Sequence, residues 1–171
     1  MSVLPRVCAA AFSLAVAVPA ALGAQGAEPE PADRSATVLA GVGHSFGWFG
    51  ANVSVYFLDQ WSAYAGLGYT PGVETGHPTG VTWAVGARLY RNSPPHQLFL
   101  GLGYAQIFTV SAAAPNAEGS REYGPTLTGG YQYTAGSGFT FLGGLGLGYA
   151  VSTDLDAPFS VVVDLGVGYT W

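Results

Sequence analysis

Few side chains in this sequence are equipped for acid–base, nucleophilic or metal chemistry. In 171 residues there are three histidines, ten aspartates and glutamates, five arginines, no lysine, and one cysteine, Cys8. Nucleophilic hydrolysis needs a hydroxyl or thiol, a base and an orienting acid within reach of one another. His44 is followed directly by Ser45, and on a strand neighbouring residues point to opposite faces. His77 and Thr79 flank a proline, and His96 follows Pro94 and Pro95; both settings read as turns. No catalytic residue is assigned. Glu74, Glu118, Glu122, Asp154 and Asp156 offer the oxygen ligands that divalent cations take. Only Asp154 and Asp156 show a fragment of calcium-loop spacing. These acids read as a solvated rim, with neither metal nor cofactor expected. Arg88 and Asp164 are different, because each sits inside an alternating apolar stretch. A charge in such a place needs a partner, since an isolated one costs several kcal/mol.

The elements that must position these two charges are strands. Reading back from Trp171, one face is Trp171, Tyr169, Val167, Leu165, Val163 and Val161, and the other is Thr170, Gly168, Gly166, Asp164 and Val162. A period of two with one bulky apolar face is the mark of a β-strand. The same alternation predicts strands near 36–46, 49–58, 61–70, 81–90, 98–108, 123–133 and 139–150, eight in all with 161–171. On the first, Val38, Ala40, Val42 and Phe46 are placed on one face. Hydrophobic residues make up 49% of the chain and aromatics 13%, against 9% charged, where a soluble domain carries about a quarter charged. A net charge of −5 with no basic patch excludes a nucleic-acid partner.

Which face looks outward decides the class. The bulky face is uncharged and gathers aromatics towards strand ends, as a lipid-facing surface does. Predicted strands of about ten residues suit a tilted crossing of the hydrocarbon layer, and lipid demands closure because an open edge leaves backbone groups unpaired. The expected fold is therefore all-β, an eight-stranded antiparallel up-and-down transmembrane β-barrel. Trp61, Tyr69, Trp83, Tyr104 and Tyr149 form its expected aromatic girdle. Short connections follow strands two, four and six, and longer ones (71–79, 111–120, 151–157) follow strands three, five and seven; the first, at Gly47 and Trp48, is tight. Short turns are periplasmic in such barrels, which places both termini in the periplasm. A Gly-x-Gly-Tyr unit recurs at 66–69, 101–104, 146–149 and 166–169, with Gly41-Val42-Gly43-His44 as a variant copy. Alternation turns its glycines inward, and no helix pattern follows to support dinucleotide binding. Tyr56, Tyr64, Tyr90, Phe99 and Leu142 are expected to fill the lumen at other levels. Strands four and eight face each other across a narrow interior, so Arg88 and Asp164, with Glu122, are expected to form an interior polar plug through an ion pair. A gate or proton path is the alternative use of the same residues.

Ahead of the barrel, 1–24 reads as a secretory signal peptide, with Arg6 before a small-residue apolar core and a cleavage site near Ala24. Residues 25–34 read as a short disordered lead-in, and 35–171 as the barrel. Cys8 lies within the signal, so the mature chain would carry no disulfide.

On this architecture and the terminal Val-Gly-Tyr-Thr-Trp, the chain resembles the small eight-stranded outer-membrane barrels of Gram-negative bacteria, the OmpA-like and opacity-protein-like group. The resemblance implies that Leu165, Val167, Tyr169 and Trp171 form the signal read by the barrel-assembly machinery, although the family more often ends in phenylalanine. It implies a monomer in the bacterial outer membrane, in contact with its lipids and lipopolysaccharide. Some barrels of this size act on lipid A through a His-x-Ser pair on the lipid-facing side, a spacing absent here. The expected role is non-enzymatic, structural or surface-interacting, with a narrow pore for small solutes as the alternative and a lipid A-modifying enzyme behind it. No extracellular ligand is indicated.

Overall fold

The structure is a computed structural model that describes residues 34–47, 49–71, 79–107, 122–151 and 159–171. The expected signal segment, the lead-in up to residue 33, and Glu74, His77, Glu118, Asp154 and Asp156 lie outside the described residues. Eight strands run in chain order: β1 (Ala36–Gly43), β2 (Phe49–Leu58), β3 (Trp61–Thr70), β4 (Gly80–Arg91), β5 (His96–Gln106), β6 (Tyr123–Thr134), β7 (Phe139–Tyr149) and β8 (Phe159–Thr170). Each pairs antiparallel with the next, and β8 returns to β1 to close the barrel. The closing ladder runs from Thr37 opposite Thr170 to Gly43 opposite Asp164. Closure leaves every strand with two neighbours and no free edge.

Alternation does the sorting. Along β3 the outward residues are Trp61, Ala63, Ala65, Leu67 and Tyr69, while Ser62, Tyr64, Gly66 and Thr70 turn inward. Along β8, Val161, Val163, Leu165, Val167 and Tyr169 are exposed, while Val162, Asp164 and Thr170 are buried. The polarity is inverted relative to a soluble barrel: large apolar groups cover the outside, and most buried side chains are polar. Two ends can be told apart. The turn end carries the connections at 59–60, 92–95 and 135–138, together with the start of β1 and the end of β8. The other, the loop end, carries the remaining connections.

Strand limits move by a few residues from those expected. β5 begins at His96 rather than after it, and β8 begins at Phe159. The largest difference is in β1, which ends at Gly43 instead of reaching Phe46. Gly43 and Gly47 both have positive φ, 124° and 65°, a region L side chains rarely adopt. Between these two glycines the chain leaves the ladder and turns into the barrel. Phe46, expected beside Val42 on the outward face, is 0% exposed inside it.

Candidate functional site

Among the described residues, three groups of side chains occupy the interior of this barrel. At the turn end hydroxyls and one amide form a closed circuit. The Thr37 hydroxyl donates to Tyr56 Oη at 3.3 Å, and Gln132 Nε2 donates to the same oxygen at 3.1 Å. Gln132 Nε2 reaches Thr134 Oγ1 at 3.4 Å, and Thr140 Oγ1 donates to Thr134 at 3.3 Å. Thr170 then joins Thr140 and Thr37, each at 2.7 Å. Five strands contribute, and the period of two places each group on the inner face. Tyr90 adds a bond to Gln132 Oε1 at 3.0 Å. Arg34, the first described residue, donates to Gln97 and lies 5.9 Å from the Tyr56 ring.

Above this ring sits an apolar cluster of Leu39, Phe46, Tyr90, Phe99 and Leu142, with Tyr56 packed against it. Its four strand residues are read directly from alternation. Phe46 reaches it from the inturned segment.

The third group centres on Ser45, all of whose polar atoms are bonded. Its N–H donates to Asp164 Oδ1 at 2.8 Å. Its carbonyl accepts from Asn52 Nδ2 at 3.1 Å, and its hydroxyl oxygen accepts from Arg88 Nη2 at 3.5 Å. Arg88 Nη1 donates to Ser54 Oγ at 3.2 Å, and Ser54 donates to Asn52 Oδ1 at 3.1 Å, which closes the loop. The guanidinium lies 4.2 Å from the Tyr64 ring and 5.5 Å from Phe99, where the negative faces of aromatic rings favour a cation.

Arg88 and Asp164 therefore share the lumen as expected, at 2% and 4% exposure, but among the described residues no ion pair joins them. Ser45 stands between, hydrogen-bonded to each. Glu122 does not belong to this group. It precedes β6, and its carbonyl accepts from Ile107 N. Thr128, the β6 residue in line with Arg88 through Gly101, is six residues further along, roughly 20 Å of strand. The sequence reading missed Ser45 and Phe46. Their signal was the odd copy of the repeat, where His44 replaces the tyrosine and a second glycine, Gly47, follows at once.

The paired glycines now have a specific task. A Cβ on Gly66 would lie 2.0 Å from the Ser45 carbonyl oxygen, one on Gly68 1.8 Å from that of Phe46, and one on Gly166 2.5 Å from the Phe46 ring. Real Cβ atoms do not approach so closely, so the inturned segment rests on a floor that only glycine provides.

The site offers little for catalysis. Ser45 is 2% exposed and its oxygen accepts from a guanidinium, the reverse of what activates a nucleophile. The His44 imidazole is buried inside the barrel. Among the described residues no three His, Cys, Asp or Glu side chains converge as metal ligands.

On the outside, Tyr69, Trp83, Tyr104 and Tyr149 are exposed towards the loop end and Trp61 at the turn end. Trp83 stacks on Tyr104 and Tyr123 at 6.0 and 5.1 Å, and Tyr149 meets Phe159 edge-on at 5.2 Å. Leu165, Val167 and Tyr169 on β8 and Trp171 just past its end are all exposed. Trp171 is tied in by its N–H to Ala36 O at 2.9 Å and by its carbonyl accepting from Ser35 N at 2.8 Å.

No protein-family model and no curated protein matches the sequence. Among solved structures, the fold matches "Crystal structure of the N-terminal beta-barrel domain of Pseudomonas aeruginosa OprF", with a TM-score of 0.55 at 15% identity, over 81% of this chain and 99% of that one. The likeness is one of fold, a closed eight-stranded barrel.

Proposed function

We propose that the protein is a bacterial outer-membrane barrel with a closed lumen and a non-enzymatic role, structural or in surface interaction. The observation that carries this reading is the inverted polarity of the wall. Among the described strand residues the ionisable groups other than tyrosine are Arg88 and Asp164, turned inward, and Arg91 and His96, at the turn-end rim. Everything between is apolar on the outside. Each outward Leu, Val or Phe left in water would forgo about 1.5–3 kcal/mol of burial, so an apolar surround is needed. A 12-residue strand such as β8 spans about 40 Å, or roughly 30 Å of depth when tilted as barrel strands are, which matches the hydrocarbon core. The turn end is assigned to the periplasm, with both termini, and the loop end to the cell exterior. The surrounding partners are then outer-membrane lipids and lipopolysaccharide, with delivery by the barrel-assembly machinery through Leu165, Val167, Tyr169 and Trp171.

The filled interior weighs against the pore reading. The test is paired. The folded protein should migrate differently on SDS gels before and after boiling, and an unshifted band would overturn the membrane barrel. In planar bilayers it should leave the membrane non-conducting, and regular single-channel steps would favour the pore instead.

A further inference from the structure

Tyrosines aside, the described strands have two ionisable groups that face outward, and both lie on one hairpin. Arg91 ends β4 and His96 begins β5, both exposed at the turn-end rim. Arg91 stands opposite Leu98, and His96 lies one outward position nearer the turn. They are thus diagonal neighbours, about 7–8 Å apart at Cα. His96 is held by its surroundings. Its Nδ1 is hydrogen-bonded to the Tyr131 hydroxyl, and its ring centroid lies 6.0 Å from Tyr131 and 5.2 Å from Tyr133. In the tautomer that accepts from the Tyr131 hydroxyl at Nδ1, the imidazole hydrogen is on Nε2, a free donor position.

A third charge belongs to the same rim. Trp61 stands opposite Leu89, and Tyr90 N donates to Gln60 O at 2.7 Å. That contact joins the β2–β3 turn to the end of β4, and Asp59 and Arg91 each adjoin one of its two residues. Among the described residues no ion pair joins the two. Next to them, towards mid-wall, lie Leu89, Leu98 and Leu100, all on the outer face and all apolar.

We propose that this rim, formed by Arg91, His96 and Asp59, is a binding site for the headgroup of one glycerophospholipid with an ethanolamine end. The guanidinium fork and His96 Nε2 meet the phosphodiester, since arginine binds phosphate through paired N–H groups. Asp59 takes the ammonium, and the acyl chains lie along the apolar strip beneath. The zwitterion supplies a positive and a negative group to a rim that holds one of each sign, unpaired with each other. A purely anionic headgroup would satisfy Arg91 and be repelled by Asp59. The proposal rests on the outer-membrane reading, because it needs the turn end to lie among headgroups.

The full chain, folded in detergent, is incubated with equimolar phosphatidylethanolamine and phosphatidylglycerol of matched acyl chains, and native mass spectrometry reads what stays bound. The wild type should retain phospholipid with phosphatidylethanolamine in several-fold excess, and excess inorganic phosphate should not displace it. Arg91→Gln with His96→Gln should lose at least fivefold in retained phospholipid, and Asp59→Asn should shift the ratio towards phosphatidylglycerol. Equal retention by the double variant, or displacement by free phosphate, overturns the site. A ratio unmoved by Asp59→Asn overturns the ethanolamine assignment. The heat-dependent gel shift of the same samples reports the barrel separately, so a failure of lipid selection is distinguishable from a failure of the membrane reading.

Discussion

At the turn end the lumen holds side chains bonded to side chains; towards the loop end it holds a piece of backbone. Thr37, Tyr56, Gln132, Thr134, Thr140 and Thr170 stay on their strands and meet in a ring. At the other end Ser45 and Phe46 leave the ladder altogether and lie on Gly50, Gly66, Gly68 and Gly166. The first arrangement spreads its bonds over five strands, so any one of them contributes modestly. The second concentrates them on Ser45, whose neighbours Arg88, Asp164 and Asn52 depend on its position. Substitutions should therefore hurt the loop-end half more than the turn-end half.

The largest effect is expected at Arg88. Arg88→Met removes the charged donor to both Ser45 and Ser54 and takes the lumen's cation away from the level of Asp164, which should cost on the order of 3 kcal/mol. Urea unfolding of the folded gel band, with Asp164→Asn as a second arm, measures this. If Asp164→Asn, which keeps an oxygen to accept from Ser45 N–H, costs little, the carboxylate acts mainly as that acceptor and not as a counter-charge. Next comes the glycine floor. Gly68→Ala places a methyl against the Phe46 carbonyl and should cost about 1–3 kcal/mol through overpacking. Gly129→Ala, outward on β6 with its nearest neighbour at 3.9 Å, should stay within about 0.5 kcal/mol. Equal effects from the two would mean that the inturned segment does not rest on β3. At the turn end, Thr170→Val takes a partner from both Thr37 and Thr140 and should cost about 1 kcal/mol. A cost as large as that at Arg88 would erase the contrast between the halves.

The contrast also marks what the sequence makes legible. Every member of the turn-end ring lies on a strand, so a period of two is enough to place it inside, and the same holds for Tyr64, Tyr90, Phe99 and Leu142. The barrel order follows from short turns such as 59–60, which force neighbours to pair antiparallel. Ser45 and Phe46 escape this logic because Gly43 breaks the ladder with a positive φ. Beyond that point alternation has no register to continue. The ion pair expected for Arg88 and Asp164 failed for the same reason: both charges were placed correctly across the lumen, but the group that came between them does not sit on a strand. Glu122 failed through depth. The sequence gives its face roughly and its level along the wall hardly at all, and only the pairing of Gln106 with Tyr123 places it near the loop end.

The smallest and most selective probe of the difference is coupling. Thr170→Val and Gly68→Ala act at opposite ends of the lumen and share no bonded partner, so their costs should add to within about 0.5 kcal/mol, since distant independent sites add. Asn52→Ala and Gly68→Ala both act on the inturned segment, one through the Ser45 carbonyl and the other through that of Phe46. Their combined cost, read by urea unfolding, should depart from the sum by more than that margin. Additive costs in both pairs would mean that the inturned segment does not respond as one unit, and the two halves would then differ only in which groups fill them.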